Sequence, residues 1–334
     1  MSNHNRPPAR LTSTAAVLAA IPAMLGFTPE NSIVTIFLGD SDVDTTTVRA
    51  IVRFNVHDGA GPAADVAAAA RVNNIAAAIV IAVADPEQSG HALRALAALR
   101  TALADVGVSV EKSLHTYGLT TGAAFVDLDT GTVGNFPDPA STELSALTVL
   151  EGRSIESSRS VIEQRFSERA EIPESVGLEA AARLGASFLP HTFEELAAVV
   201  YAREVPSDEL TARVGLTLSG RGLDVRDSYL RLAVYGEEHA VEAMTHIAGA
   251  LRGAARAQAL TITAFFSYLA NQGPATGIAI DAARAAAADA GVPTPSFADL
   301  LDRALRAGME PEQLRDLVPD ADFVRERTGA DLQG

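Results

Sequence analysis

The sequence predicts an α/β fold class, with an N-terminal three-layer α/β domain whose sheet is mostly parallel, followed by an all-α domain of helical hairpins. Three observations predict it. Strand and helix patterns alternate through the first 136 residues, the run 76–83 is apolar throughout, and no convincing strand pattern follows Pro173. An apolar run of this length is typical of a strand buried on both faces, and its alternation with helices favours parallel pairing.

The α/β domain, residues 1–136, is predicted to begin with a helix over 13–25. Thr12 or Ser13 provides its N-cap, and Gly26 is placed to end it in a left-handed conformation. A turn containing Asp42 and Asp44 separates the first two strands. The remaining predicted elements are, in order, strands over 32–38 and 48–56, a helix over 61–74, a strand over 76–83, a helix over 89–107, and strands within 108–118 and 123–129.

A connecting helix pair is predicted over 137–172. Asp138 as N-cap with Pro139 in the first turn starts a helix that runs to Gly152. A second helix, capped by Ser157 or Ser158, runs to about residue 169.

The helical domain is predicted over 173–334. Thr192 to Glu195 has the spacing of a capping box, which predicts a helix start there. Three segments, at about 256–272, 274–290 and 296–307, have the short connections and small residues of helical hairpins. They resemble a tetratricopeptide-like stack without its regular period.

The composition narrows the possible functions. The net charge is −16 and the pI is about 4.8, and no basic cluster offsets this charge, so no nucleic-acid partner is expected. There is no cysteine, which excludes disulfides, thiolate metal sites and a cysteine nucleophile. No apolar run is long enough to cross a bilayer, so no membrane partner is expected, and the predicted location is cytoplasmic.

The stretch "LGFTPENS" (25–32) joins the first helix to the first strand and holds three candidate ligand contacts, Glu30, Asn31 and Ser32. A phosphate cradle requires a strand, a glycine-rich loop and then a helix, and here the order is reversed. A helix C-cap followed by a turn is therefore the favoured interpretation, with the three polar residues as possible contacts at one end of the sheet.

Asp85 is the strongest single candidate, because it directly follows the buried strand 76–83. Ligands of open α/β sheets gather at the carboxyl ends of the strands. The alternative is an ordinary Asp-Pro turn that starts a helix. Arg153 and Arg159 flank the join between the domains, where they could clamp a carboxylate or phosphate, although interdomain ion pairs are the commoner role.

No metal and no cofactor is predicted. Glu238, Glu242 and His246 share one helix face, but a helix-bundle metal site needs the motif again on a facing helix, and a solvated face explains the spacing better. The sequence contains no G-x-S-x-G, no G-x-G-x-x-G and no Walker A motif. Its seven histidines lie in no recognisable catalytic context, so the sequence leaves enzymatic activity open.

Three segments together resemble an actinobacterial family catalogued as domain of unknown function 4192. They are "LTSTAAVLAAIPAMLGFTPENSIVTIFL", "DPASTELSALTVLEGRSIESSRSVIEQRF" and the C-terminal "YLANQGPATGIAIDAARAAAADAGVPTPSFADLLDRALRAGMEP". The resemblance implies the family's helix, Leu-Gly-Phe turn and strand at the N-terminus, its central helix pair, and a bacterial origin. It implies no activity, so it assigns no catalytic residue.

Two hypotheses of function follow. The first is a binding or scaffold protein that acts through a protein partner or as a homo-oligomer, with its helical half as the interaction surface. The second is a small-ligand-binding protein or enzyme with its site at the carboxyl end of the N-terminal sheet, near Asp85 and with Arg153 as a candidate to face it.

Overall fold

A computed structural model of the protein describes residues 13–41, 45–150, 154–220 and 222–333. The chain divides into two compact units. The first comprises Met1–Val161 and Arg306–Gly308, and the second comprises Ile162–Leu305 and Met309–Gly334. A sheet with helices in the first unit and a helical second unit confirm the predicted fold class. The domain boundaries at 136 and 172 remain predictions.

The first unit alternates strands and helices, as the sequence predicts, with one further short strand. Its elements are α1 (Thr14–Leu25), β1 (Ser32–Ser41), β2 (Thr45–Asn55), α2 (Gly61–Val72), β3 (Ala77–Val83), α3 (Ser89–Asp105), β4 (Ser109–Thr116), β5 (Ala124–Asp127), β6 (Val133–Asn135) and α4 (Glu143–Leu150). The helix α5 (Arg159–Arg165) spans the boundary between the units.

The six strands form one sheet in the order β2-β1-β3-β4-β5-β6. The expectation of a mostly parallel sheet is met only in part, because β3–β4 is the one parallel pair among the described neighbours. Since β1 is antiparallel to both β2 and β3, those two strands run in the same direction with β1 between them. The chain therefore crosses from β2 through α2 to β3, and these two strands are not neighbours in the sheet. The strand between them is β1, which forms a hairpin with β2.

The core of the first unit lies between one face of the sheet and helices α2 and α3. Ile33, Phe54 and Ala82 are opposite one another on adjacent strands and belong to this core. The other face of β1 is buried as well, since Val34 and Ile36 are fully inaccessible. The prediction that 76–83 is buried on both faces is confirmed, and six of the seven residues of β3 are buried.

The helix caps of the first unit agree with the sequence where the structure describes them. Ser13 accepts a hydrogen bond from Ala16 N–H, and Gly26 ends α1 with φ 76°. Asp138 caps a short 3₁₀ turn, Pro139–Ser141, before α4 begins, so the predicted single helix is in fact two elements. The proposed turn residues Asp42 and Asp44 and the predicted helix end Gly152 lie outside the described residues.

The second unit is helical throughout its described residues. Its α-helices are α6 (Glu174–Leu184), α7 (Phe188–Ala202), α8 (Asp208–Gly220), α9 (Leu223–Ser228), α10 (Glu237–Ala250), α11 (Gly253–Leu269), α12 (Gly273–Asp289), α13 (Ser296–Arg306), α14 (Pro311–Arg315) and α15 (Ala321–Thr328). The predicted hairpin segments correspond to α11, α12 and α13. A tetratricopeptide-like arrangement of them remains a prediction.

Helix α11 forms the centre of the helical unit. Its residues from 255 to 269 are buried on all sides except at position 258, and it packs against α8, α10 and α12. A helix that is apolar around its whole circumference belongs to a core. Charged substitutions at the buried positions of α11 are therefore expected to destabilise the folded unit.

The predicted capping box at Thr192–Glu195 is wrong, because both residues lie inside α7. The helix begins four residues earlier, at Phe188, whose ring is buried. Thr192 instead donates its hydroxyl proton to Phe188 C=O, and Arg213 donates to Thr192 Oγ. The spacing of a capping box also occurs within helices, so the spacing alone does not locate a helix start. In the described part of the chain, no helix is both long and apolar enough to span a membrane.

Candidate functional site

The loop between α1 and β1 is held to a distant part of the chain by backbone hydrogen bonds. Thr28 N–H donates to Glu156 C=O at 3.0 Å, and Glu156 N–H donates to Gly26 C=O at 2.8 Å. Phe27 is buried and pairs with Glu156 in a parallel bridge. The left-handed Gly26 and these bonds agree with a helix end followed by a turn, the interpretation that the sequence favours for this loop.

Two of the predicted site residues, Asn31 and Asp85, are hydrogen-bonded to each other. Asn31 Nδ2 donates to Asp85 Oδ2 at 2.9 Å, and Asp85 N–H donates to Asn31 Oδ1 at 3.0 Å. The register explains their meeting, because Ser32 is opposite Val83 and each site residue lies just beyond its own strand. Asn31 has φ 41°, a left-handed conformation that asparagine tolerates. Asp85 is exposed, so its carboxylate can be reached from solvent.

The other two candidates of this loop, Ser32 and Glu30, differ from each other in burial and in their hydrogen bonds. Ser32 is fully buried, accepts a hydrogen bond from Arg53 Nε at 2.8 Å, and donates its own proton to Glu30 C=O. The guanidinium of Arg53 also donates to Asn55 Oδ1 at 2.6 Å. Ser32 therefore anchors the start of β1, whereas the side chain of Glu30 is exposed.

The structure adds Ser89 and His115, which the sequence did not single out. Ser89 is the first residue of α3, and His115 is near the end of β4. Ser89 Oγ donates to Asp85 C=O at 3.0 Å and lies 3.3 Å from His115 Nε2. The carboxyl ends of parallel strands meet at one edge, so residues after β3 and at the end of β4 become neighbours. The sequence could have indicated Ser89 and His115 as neighbours if the strands predicted over 76–83 and within 108–118 had been paired in parallel.

Burial lowers the pKa of His115 below its ordinary value, because the charged imidazolium loses hydration there. The ring is therefore neutral at pH 7 and has one nitrogen free to accept a proton. Tyr117 packs edge-on against this ring with 5.1 Å between the ring centres, and 60% of Tyr117 is exposed.

The two predicted arginine candidates, Arg153 and Arg159, lie near the end of the first unit in the sequence. Arg153 lies outside the described residues. Arg159 is the first residue of α5 and belongs to the first unit. A clamp that faces Asp85 from either arginine remains a prediction.

Helix α10 carries Glu238, Glu242 and His246, the residues that share one face in the sequence pattern. The two terminal nitrogens of Arg169 lie 2.9 Å from the two ring nitrogens of His246, so a cation already lies beside both nitrogens of this ring. Burial, and then the charge of Arg169, lower the pKa of His246. No group of three metal-binding side chains comes together within the described ranges.

The helical unit has an open depression of about 400 Å³ at the start of α10, lined by Arg203, Glu238, His239 and Asn271, among others. Glu237, which also lines the depression, is bound to Arg315, and burial raises its pKa despite that partner. The depression is open to solvent, and Glu237, the more buried of its two acids, already has a partner. The sheet end of the first unit is therefore the better candidate site.

Fold and site together define a class: an α/β unit with a hydrogen-bonded polar cluster where its parallel strands end, continued by an all-α unit. The sequence model of one family, described as Domain of unknown function (DUF4192), matches residues 15–312. The chain belongs to this family, which confirms the family named in the resemblance, whereas an actinobacterial origin remains a prediction. No curated protein and no solved structure matches the chain.

Proposed function

We propose that this chain is a binding protein whose first unit takes a small polar ligand at the sheet end formed by Asn31, Asp85, Ser89 and His115, called here the sheet-end cluster. One observation carries the proposal. Four polar residues from three separate segments of the chain are joined in one hydrogen-bonded network beside the carboxyl ends of β3 and β4, in which Ser89 binds the main-chain carbonyl of Asp85. Ligand sites of α/β sheets occupy this position.

The chemistry of the cluster favours a neutral or cationic ligand with hydrogen-bonding groups. Asp85 presents an exposed carboxylate that accepts hydrogen bonds, and His115 is neutral at pH 7. An anionic ligand would be repelled by Asp85 and by the net charge of −16 on the chain.

Native mass spectrometry of the protein purified gently from its own host tests this function. We expect one small molecule retained per chain, and its loss in Asp85→Asn. Glu87→Gln is the matched control, because Glu87 is an exposed acid two residues away and contributes to none of the four bonds. Retention of the molecule by Asp85→Asn, or no retained molecule in the wild type, contradicts the proposal.

Self-association is the second candidate function, and the length of strand β2 favours it. The edges of the sheet are β2, with 11 residues, and β6, with three. A long edge strand offers unpaired N–H and C=O groups to another strand, and two antiparallel copies of β2 satisfy each other. Val48 on β2 is 43% exposed. A protein partner bound by the helical unit remains a prediction.

Light scattering after size-exclusion chromatography tests self-association. We expect a dimer that Val48→Lys dissociates, because a charge on an edge strand opposes pairing. Val133→Lys on the opposite edge, at a residue 64% exposed, should remain dimeric. A monomeric wild-type protein at micromolar concentration would rule this function out.

A further inference from the structure

Ser89 and His115 have the arrangement of a serine nucleophile and its base. Ser89 Oγ is 3.3 Å from His115 Nε2, and catalytic hydrogen bonds are often this long before substrate binds. His115 is opposite Ala82 in the parallel pair, and Ala82 belongs to the core covered by α2 and α3. The ring is therefore on the side of the sheet from which Ser89 approaches.

The hydroxyl hydrogen of Ser89 has two acceptors within reach. In the structure it is donated to Asp85 C=O at 3.0 Å. A rotation about the Cβ–Oγ bond turns it to His115 Nε2, provided that the ring carries its own hydrogen on Nδ1. Because burial keeps the ring neutral at pH 7, Nε2 can then accept the proton.

The first turn of α3 provides space and hydrogen-bond donors beside Ser89. Ala92 N–H donates to Gln88 C=O, so the N–H groups of Gly90 and His91 precede the first helical hydrogen bonds. Such groups can stabilise a developing oxyanion. Gly90 is exposed, and a side chain there would meet only Arg94 Nη1, at 3.8 Å, so a substrate can approach closely.

We propose that Ser89 is the nucleophile, and His115 the general base, of an esterase that acts on small neutral carboxylic esters. The inference rests on the proposed function, since the substrate would occupy the sheet-end cluster. The exposed ring of Tyr117 offers an apolar surface for the acyl group, and Asp85 disfavours an anionic one.

The reaction proceeds in two steps. Ser89 Oγ bonds to the carbonyl carbon while its proton passes to His115 Nε2. The carbon–oxygen bond to the alcohol then breaks, and the alcohol leaves with that proton. Water attacks the acyl-serine, gives one proton to His115 Nε2, and releases the carboxylic acid as Ser89 regains its hydrogen.

A small alkyl fluorophosphonate, which serine nucleophiles attack with loss of fluoride, tests the inference on the full chain. We expect one adduct per chain, mapped to Ser89 by peptide mass spectrometry of the wild-type protein, and none in Ser89→Ala. His115→Gln should label at least about 100-fold more slowly, the lower range of a general base's contribution. Ser109→Ala, at an exposed serine that starts β4, should label as the wild type does.

An unlabelled wild-type protein, an adduct on another serine, or unchanged labelling of His115→Gln overturns the inference. p-Nitrophenyl acetate gives a second readout, with hydrolysis by the wild type above that by Ser89→Ala. Ligand retention separates the two proposals. A protein that retains its Asp85-dependent small molecule but is not labelled keeps the proposed function and loses the esterase.

Discussion

Polar side chains are used differently in the two units. At the sheet-end cluster, Asp85 is exposed and Ser89 and His115 are half-buried, so their hydrogen-bonding groups can be reached from solvent. In the helical unit, Arg213 and Arg256 are only 1% and 5% exposed. Arg213 binds Glu195 and Thr192, and Arg256 donates to the carbonyls of Ala248 and Phe166.

The difference shows how a structural polar group can be told from a candidate functional one. A buried guanidinium must be paired inside the protein, because leaving it or its partners unpaired costs several kcal/mol, about 3 to 5 for a broken buried pair. Exposed groups that converge from several segments face no such constraint. Their convergence at one place is what suggests a site.

The largest expected effect on stability is at a buried arginine of the helical unit. Arg256→Ala should lower the free energy of unfolding by about 3 kcal/mol, since it leaves a void and two carbonyls without a donor. Urea unfolding measures it. Arg325→Ala removes two exposed ion pairs, with Asp322 and Asp331, and should cost at most about 0.5 kcal/mol. Equal losses in the two variants would contradict the contrast.

A medium effect is expected at Tyr229, which is fully buried. Its hydroxyl lies 2.6 Å from Thr217 Oγ, and its ring stacks on Phe193 with 4.2 Å between the centres. Tyr229→Phe keeps the stacking and loses the hydrogen bond, so we expect about 1 kcal/mol less stability in thermal or urea unfolding. Tyr201→Phe, at a residue 75% exposed, should be indistinguishable from the wild type.

A small effect on stability is expected at Asp85, together with a large effect on binding. Asp85→Asn should change the free energy of unfolding by less than about 0.5 kcal/mol, because the group is exposed and its backbone bond to Asn31 remains. The same protein should lose its retained small molecule. A loss of stability comparable to that of Arg256→Ala would make Asp85 a structural residue and remove the contrast.

The smallest effect is expected in the pH dependence of stability. The folded state lowers the pKa of His246, whereas the unfolded value is about 6.5. As the pH falls below 6.5, His246 is protonated in the unfolded chain before it is protonated in the folded protein. Stability therefore declines as the pH falls from 6.5 through the folded pKa. Above pH 6.5 this residue has little effect on stability. Urea midpoints at several pH values should show a shallower decline in His246→Gln. An unchanged decline would show that other groups account for it.

Much of the local structure could be predicted from the sequence. Ser13 and Gly26 mark both ends of α1, and the apolar run 76–83 is the doubly buried strand. These signals depend on residues close together in the chain, such as a cap side chain or a hydrophobic period. For the same reason the sequence alone places Asp85 at the end of a strand.

The direction of the strands could not be predicted in this way. A strand buried on both faces is apolar in either direction, so its composition does not distinguish parallel from antiparallel neighbours. The position of β1 between β2 and β3 depends on contacts between segments that are far apart in the chain.

The sequence by itself determined the two-part order of the chain, the ends of most helices of the first unit, the buried strand and the position of Asp85. Only the tertiary structure decided that Asn31 would be the partner of Asp85, that Ser89 would meet His115, and that α11 would be the core of the helical unit. The physical reason is that caps and periodicities act within a few residues, whereas these contacts depend on strand register and helix packing between distant segments.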